Sequence, residues 1–92
     1  MNDNDRQVTL ITGRAKRHKD GESEGIHVML VAPDDDSAVK MALQALTSEG
    51  YVEAELDRIG DMEGMPEEEP HASAYQGAME GEVAIVTFDE PF

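Results

Sequence analysis

The clearest indication of the fold is the segment Ile26-His27-Val28-Met29-Leu30-Val31-Ala32, in which six of the seven residues are apolar and only His27 is polar. A short apolar run that does not alternate with polar residues is typical of a strand buried on most of both faces. Pro33 follows directly and ends the run. The segment therefore predicts a central strand of a β-sheet.

The stretch before this segment predicts another strand and a turn that joins the two. Residues 7–15 contain a cluster of β-branched side chains, which favours a strand. Asp20-Gly21 is a strong turn signal, and Gly25 closes the loop. We expect the two strands to form an antiparallel hairpin with a basic stretch at or near its tip.

After the central strand, the sequence predicts a helix over residues 35–48. The run Asp34-Asp35-Asp36-Ser37 supplies acceptors for the unpaired N–H groups of a first helical turn, and its charge suits the positive end of the helix dipole. Apolar residues then recur at helical spacing, at Ala38, Met41, Ala42, Ala45 and Leu46. Gly50 is well placed to end the helix in a left-handed conformation.

Residues 51–59 alternate between apolar and acidic side chains, which predicts a third strand with one face in water. The outward acidic residues are Glu53, Glu55 and Asp57. Because they are spaced two residues apart, we expect them to form a negative row on the sheet surface.

The rest of the chain predicts a loop over residues 60–69, a helix over 70–80 and a final strand over 82–89. The predicted order is β-β-α-β-α-β, with residues 1–6 as a disordered tail and 7–92 as a single α+β domain. We expect a two-layer sandwich in which a four-stranded, mostly antiparallel or mixed sheet carries both helices on one face. Because one face of the third strand is expected to contact water, we expect the sheet surface that carries no helix to be open.

The charge of the chain is strongly asymmetric, with 21 acidic residues against seven basic ones and a net charge of −14. Four of the basic residues fall in one short stretch: Arg14, Lys16, Arg17 and Lys19. From Asp20 onward there are nineteen acidic residues and two basic ones. This balance argues against anionic membrane surfaces and against nucleic acid as the main partner, because both require positive charge.

The residue types also limit the possible chemistry and the possible cellular compartment. The absence of cysteine excludes disulfides, thiol nucleophiles and cysteine-based zinc sites, and it fits a reducing cytosol. The first six residues are polar, unlike a secretory signal, and no apolar run approaches the roughly 20 residues of a membrane span. We therefore expect a cytoplasmic protein without a membrane partner.

Two acidic clusters are candidates for metal binding, and a structural interpretation is favoured for both. The run Asp34–Asp36 lacks the alternation and the central glycine of a calcium loop, and helix capping explains it. Glu67–Glu69 with His71 offers one histidine and flexible carboxylates, which is typical of a solvated loop. We expect no metal and no cofactor.

His27 is the most informative single residue, because it interrupts the central apolar run. We expect it on the outer face of the sheet, where a carboxylate of Glu53, Glu55 or Asp57 would raise its pKa and make it responsive to pH. Catalysis would require an aligned second group, and no such motif is present in the sequence. We expect no catalytic residues and no enzymatic activity.

The basic stretch has three interpretations. It is a solvated hairpin tip that protects a sheet edge, it docks on the acidic surface of a second copy, or it contacts nucleic acid. The side chains expected to contact a partner are Arg14, Lys16, Arg17, Lys19, His27, Glu53, Glu55 and Asp57.

The favoured function is a small, acidic, non-enzymatic module for protein binding that acts as a homo-oligomer, with self-association or a basic protein partner. The alternative is an inhibitor or nucleic-acid mimic that occupies a basic surface of another protein. A metal-dependent or histidine-dependent enzyme is the third hypothesis. The sequence identifies no partner and favours these hypotheses on charge and composition alone.

Overall fold

The computed structural model describes residues 7–88, which form four strands and two helices. In chain order these are β1 Thr9–Lys16, β2 Glu24–Leu30, α1 Asp35–Ser48, β3 Glu53–Asp61, α2 His71–Met79 and β4 Ala84–Phe88. The predicted α+β class and the order β-β-α-β-α-β are confirmed. The tail predicted over residues 1–6 lies outside the described residues, as do residues 89–92.

The four strands form one antiparallel sheet with the order β3-β1-β2-β4. β1 and β2 form the predicted hairpin, in which Ile11 lies opposite Val28. On its other side β2 pairs with β4, where Val28 lies opposite Ile85. The apolar segment therefore occupies an interior strand, as predicted, while β3 and β4 form the two edges.

Both faces of β2 are covered, each by a different helix. Val28 packs in one apolar cluster with Ala42 of α1, and its neighbour Met29 packs in another with Ala78 of α2. Successive side chains of a strand point to opposite faces. The two helices therefore lie on opposite faces of the sheet, and the prediction of a two-layer sandwich with both helices on one face is wrong.

The open surface of β3 has a local cause that explains this error. α2 packs against β2 and β4, whereas α1 packs against β1, β2 and β3. On the face that α2 covers, the β3 side of the sheet is left in water. The prediction assumed that the water-exposed surface of β3, an edge strand, continues across a whole face of the sheet.

The ends of α1 follow from the sequence as predicted. The Asp34 side chain accepts a hydrogen bond from the backbone N–H of Ser37 at 2.7 Å, which satisfies one of the first-turn donors. Gly50 has a φ of +100°, a left-handed conformation that glycine adopts without a steric penalty. Capping therefore accounts for Asp34.

A β-bulge interrupts the pairing of β1 with β3. Thr12 lies opposite Arg58 and Gly13 lies opposite Leu56, so Asp57 is the extra residue. After the bulge, Ile59 lies opposite the buried Ile11. The bulge thus shifts the alternation of β3 by one residue and keeps Ile59 on the α1 side of the sheet.

The bulge requires glycine at position 13, and this generates a test of stability. A Cβ atom added to Gly13 would clash with the carbonyl oxygen of Glu55, a backbone atom of the paired strand. We expect Gly13→Ala to lower the free energy of unfolding by about 2 kcal/mol or more, measured by urea denaturation.

Gly77 provides the matched control, because nothing lies within 4 Å of a Cβ added there and the residue is helical. We expect Gly77→Ala to raise the free energy of unfolding by about 0.5–1 kcal/mol. Equal effects of the two alanines would show that the close approach at Gly13 does not constrain the sheet.

Candidate functional site

Two histidines and one phenylalanine from three different elements form a cluster on the α2 side of the sheet. Nδ1 of the half-buried His27 in β2 lies 2.9 Å from Nε2 of His71, the first residue of α2, and one ring donates a hydrogen bond to the other. The Phe88 ring of β4 lies 4.7 Å from the His27 ring and 5.7 Å from the His71 ring, centroid to centroid. The cluster therefore joins the start of α2 to the centre of the sheet.

The surroundings of His27 favour its neutral form. Burial, followed by the proximity of His71, lowers the pKa of His27 below its usual range. The predicted increase in this pKa is wrong, because burial and the neighbouring His71 both disfavour the charged form of the ring. Of the three acids expected nearby, Asp57 lines the same open depression of about 440 Å³ as His27.

The histidine pair brings two ring nitrogens within 2.9 Å of each other, where they share one hydrogen bond. Structural and catalytic zinc sites use about three or four protein ligands. Within residues 7–88, no group of three or more His, Asp or Glu side chains is placed to hold a metal ion. Glu69, from the predicted acidic loop, instead accepts a hydrogen bond from the Ser73 N–H at 3.0 Å. Hydrogen bonding from the Ser73 side chain, and then from this N–H, lowers the pKa of the Glu69 carboxyl group.

Arg17 holds the end of α1 against the hairpin, a role that the sequence did not indicate. Its Nη1 donates a 2.8 Å hydrogen bond to the carbonyl oxygen of Glu49, and its guanidinium lies 4.4 Å from the centre of the Tyr51 ring. The Tyr51 hydroxyl donates to Glu24 at 2.9 Å. Burial and then the Glu24 carboxylate raise the pKa of Tyr51. One of the four clustered cations is therefore a structural residue.

Two other cations face the acids of β3 within the same chain. Arg14 lies opposite Glu55 and Lys16 lies opposite Glu53 in the β1–β3 register. Directly opposed pairs of unlike charge stabilise a sheet by roughly 0.2–1 kcal/mol each. These four predicted contact residues therefore lie side by side, whereas Lys19 lies exposed beyond the end of β1.

β3 is the most exposed strand among the described residues. All of its nine residues are exposed except the half-buried Leu56, and only one of its sides pairs with a neighbouring strand. From Glu53 to Glu69 the chain carries eight acidic residues and one basic residue, Arg58. We call this stretch, residues 53–69, the acidic edge.

The histidine pair makes stability dependent on pH. Because the pKa of His27 is lowered in the fold, the unfolded chain takes up this proton more readily than the folded chain does. The contribution of His27 to the free energy of unfolding is therefore complete above about pH 6.5, and it is lost as the pH falls through the lowered pKa. We expect the melting temperature to fall between pH 7 and pH 5.5, and His27→Gln to reduce this fall.

His18 is the control for this titration, because it is exposed and lies near the hairpin tip. We expect His18→Gln to keep the pH dependence of the unsubstituted protein. An unchanged pH dependence in His27→Gln would show that carboxylates alone produce it.

The role of Arg17 generates a further test. Arg17→Ala removes a charged hydrogen bond and the contact with the Tyr51 ring, so we expect a loss of about 1–2 kcal/mol in the free energy of unfolding. We expect Lys19→Ala, an exposed cation two residues away, to change it by less than about 0.5 kcal/mol. Equal losses in the two variants would contradict a specific role for Arg17.

Neither helix of the described part of the chain combines the length and apolar composition that a membrane crossing requires. No family model, no curated protein and no solved structure matches this chain. A fold does not by itself imply a function. The strands, charges and contacts of this molecule are therefore the basis on which its function is inferred.

Proposed function

We propose that this protein is a small, non-enzymatic module for protein binding, and that its β3 edge pairs with an extended basic segment of a partner protein. The observation that carries the proposal is β3 itself, a nine-residue exposed strand at the edge of the sheet. It is also the longest strand of the described residues.

The backbone of β3 supplies the affinity in this proposal. An edge strand presents a row of N–H and C=O groups with which another strand can pair. In strand addition, main-chain hydrogen bonds provide affinity and alternate side chains provide specificity. The length of β3 exceeds the common strand length of about 5–6 residues, so it offers space for a full strand.

The charge of the acidic edge supplies the selectivity. Eight acidic residues and one basic residue lie between Glu53 and Glu69, and the carboxylates of β3 point away from the core. A strand with lysine or arginine at alternate positions places its charges on one face, where they meet Glu53 and Glu55. Such complementarity increases the association rate and makes binding weaken with salt.

The same charges disfavour pairing of β3 with a second copy of itself. An antiparallel pair centred on Asp57 would place Asp57 opposite Asp57 and Glu53 opposite Asp61. Like charges directly opposite each other destabilise a sheet. The acidic edge therefore selects a basic segment of another protein.

The test uses a synthetic peptide with alternating lysine and valine, titrated into the isotope-labelled protein. We expect the amide signals of residues 53–61 to shift and their hydrogen exchange to slow, because outward N–H groups become hydrogen-bonded. We expect a peptide with glutamate in place of lysine to have no effect. Binding without slower exchange in β3 would contradict strand addition, and it would favour an acidic surface that imitates nucleic acid.

Two double variants with the same net charge separate local from general electrostatics. Glu53→Gln with Glu55→Gln removes two acids of β3, and we expect it to weaken peptide binding about tenfold. Glu22→Gln with Glu80→Gln removes two exposed acids elsewhere, and we expect a clearly smaller change. Equal losses in the two double variants would show that net charge and not β3 binds the peptide.

A further inference from the structure

The opposite edge of the sheet differs from β3 in its chemistry. β4, residues Ala84–Phe88, pairs with β2 on one side and forms the second edge. The six residues from Val83 to Phe88 include no charged side chain, although the chain as a whole carries a net charge of −14. An uncharged edge strand attracts pairing with another chain, and proteins commonly cover such an edge.

A groove follows this edge. It has a volume of about 530 Å³ and is lined by residues 84–87 together with Pro70, Ser73 and Ala74 near the start of α2. Because residues 84–87 alternate between the two faces of the sheet, a groove that contacts all four lies along the outer side of the strand. The small side chains of Ser73 and Ala74 leave room for another backbone to approach.

We infer that this groove receives the β4 strand of a second copy, which joins two sheets into one continuous sheet of eight strands. The two strands run antiparallel about a twofold axis near Val86. Val86 then lies opposite its counterpart, Ile85 opposite Thr87, and Ala84 opposite Phe88. This inference goes beyond the proposed function and stands without it.

Charge identifies the second copy as the occupant. Two copies of a chain with a net charge of −14 repel each other, so they meet most easily where charge is absent. Pairing of β4 with itself opposes only uncharged side chains over residues 84–88, whereas pairing of β3 with itself opposes acids. β-branched and aromatic cross-strand pairs contribute roughly 0.2–1 kcal/mol each. The same arrangement leaves both acidic edges free at the far ends of the sheet.

The first experiment measures the solution mass by light scattering over a range of protein and salt concentrations. We expect a dimer that dissociates on dilution and that becomes tighter as salt screens the repulsion between the two copies. A monomer at all concentrations would overturn the inference. A dimer that weakens with salt would also overturn it, because it would indicate docking of the basic stretch on acids.

A variant with a charged residue on the β4 edge tests the dimer interface. Thr87 is exposed, and in the dimer it lies opposite Ile85 of the second copy, so Thr87→Lys should weaken dimerisation at least tenfold without unfolding the chain. Thr47→Lys places the same charge on the exposed surface of α1, and we expect it to leave the dimer unchanged. Equal behaviour of the two variants would overturn the inference.

A distance measurement then distinguishes the two edges. The register Arg58–Thr12–His27–Val86 places Arg58 on the line through the proposed axis. Seven strand spacings of about 4.8 Å separate the two copies of this residue, so their Cα atoms should lie roughly 34 Å apart. Spin labels on Arg58→Cys, in a chain with no other cysteine, measure this separation.

A separation of a few ångströms between the labels would place β3 at the dimer interface and overturn the inference. A monomer that binds the lysine peptide would overturn the inference and leave the proposed function standing. A dimer centred on β4 that does not bind the lysine peptide would support the inference and overturn the proposed function. The two proposals therefore fail separately.

Discussion

Burial of β2 on both faces determines how the helices and the other strands are arranged around it. Val28 and Met29 are adjacent in sequence, fully buried and directed to opposite sides of the sheet. An apolar side chain that faces water loses roughly 1.5–3 kcal/mol of burial free energy, so each face of β2 requires its own cover. The chain meets this requirement with one helix on each face and with β1 and β4 as neighbours.

This arrangement determines where the charges lie. The interior of the sheet has no room for unpaired carboxylates, so the acids of residues 7–88 lie at helix ends, in loops, along β3 and, in the case of Glu24, at the start of β2, where Tyr51 donates a hydrogen bond to it. Asp34 and Glu69 satisfy N–H groups of the first turns of the helices, whereas the acids of β3 remain on an exposed strand. The two edges consequently differ, since β3 is acidic and β4 is uncharged. This difference underlies both proposals.

The candidate site could be predicted only in part. The importance of His27 was visible, because it is the single polar residue in an apolar run, and the acids of β3 were visible from their alternation. The contact of His27 with His71 spans 44 positions, and that of Arg17 with Tyr51 spans 34. No local pattern encodes such contacts, because they depend on how the helices pack on the sheet. The sequence therefore identified the important residues more reliably than it identified their contacts.

The α+β class, the order of the elements, the hairpin, the ends of α1 and the interior position of β2 could all be predicted from the sequence. These features follow from hydrophobic periodicity, turn residues and capping, which act over a few neighbouring residues. The tertiary structure alone decided that the helices lie on opposite faces, that a bulge at Asp57 realigns β3, and that Gly13 permits the close approach of β3. These features depend on contacts between residues far apart in the chain, whose geometry is fixed only when the whole core is packed.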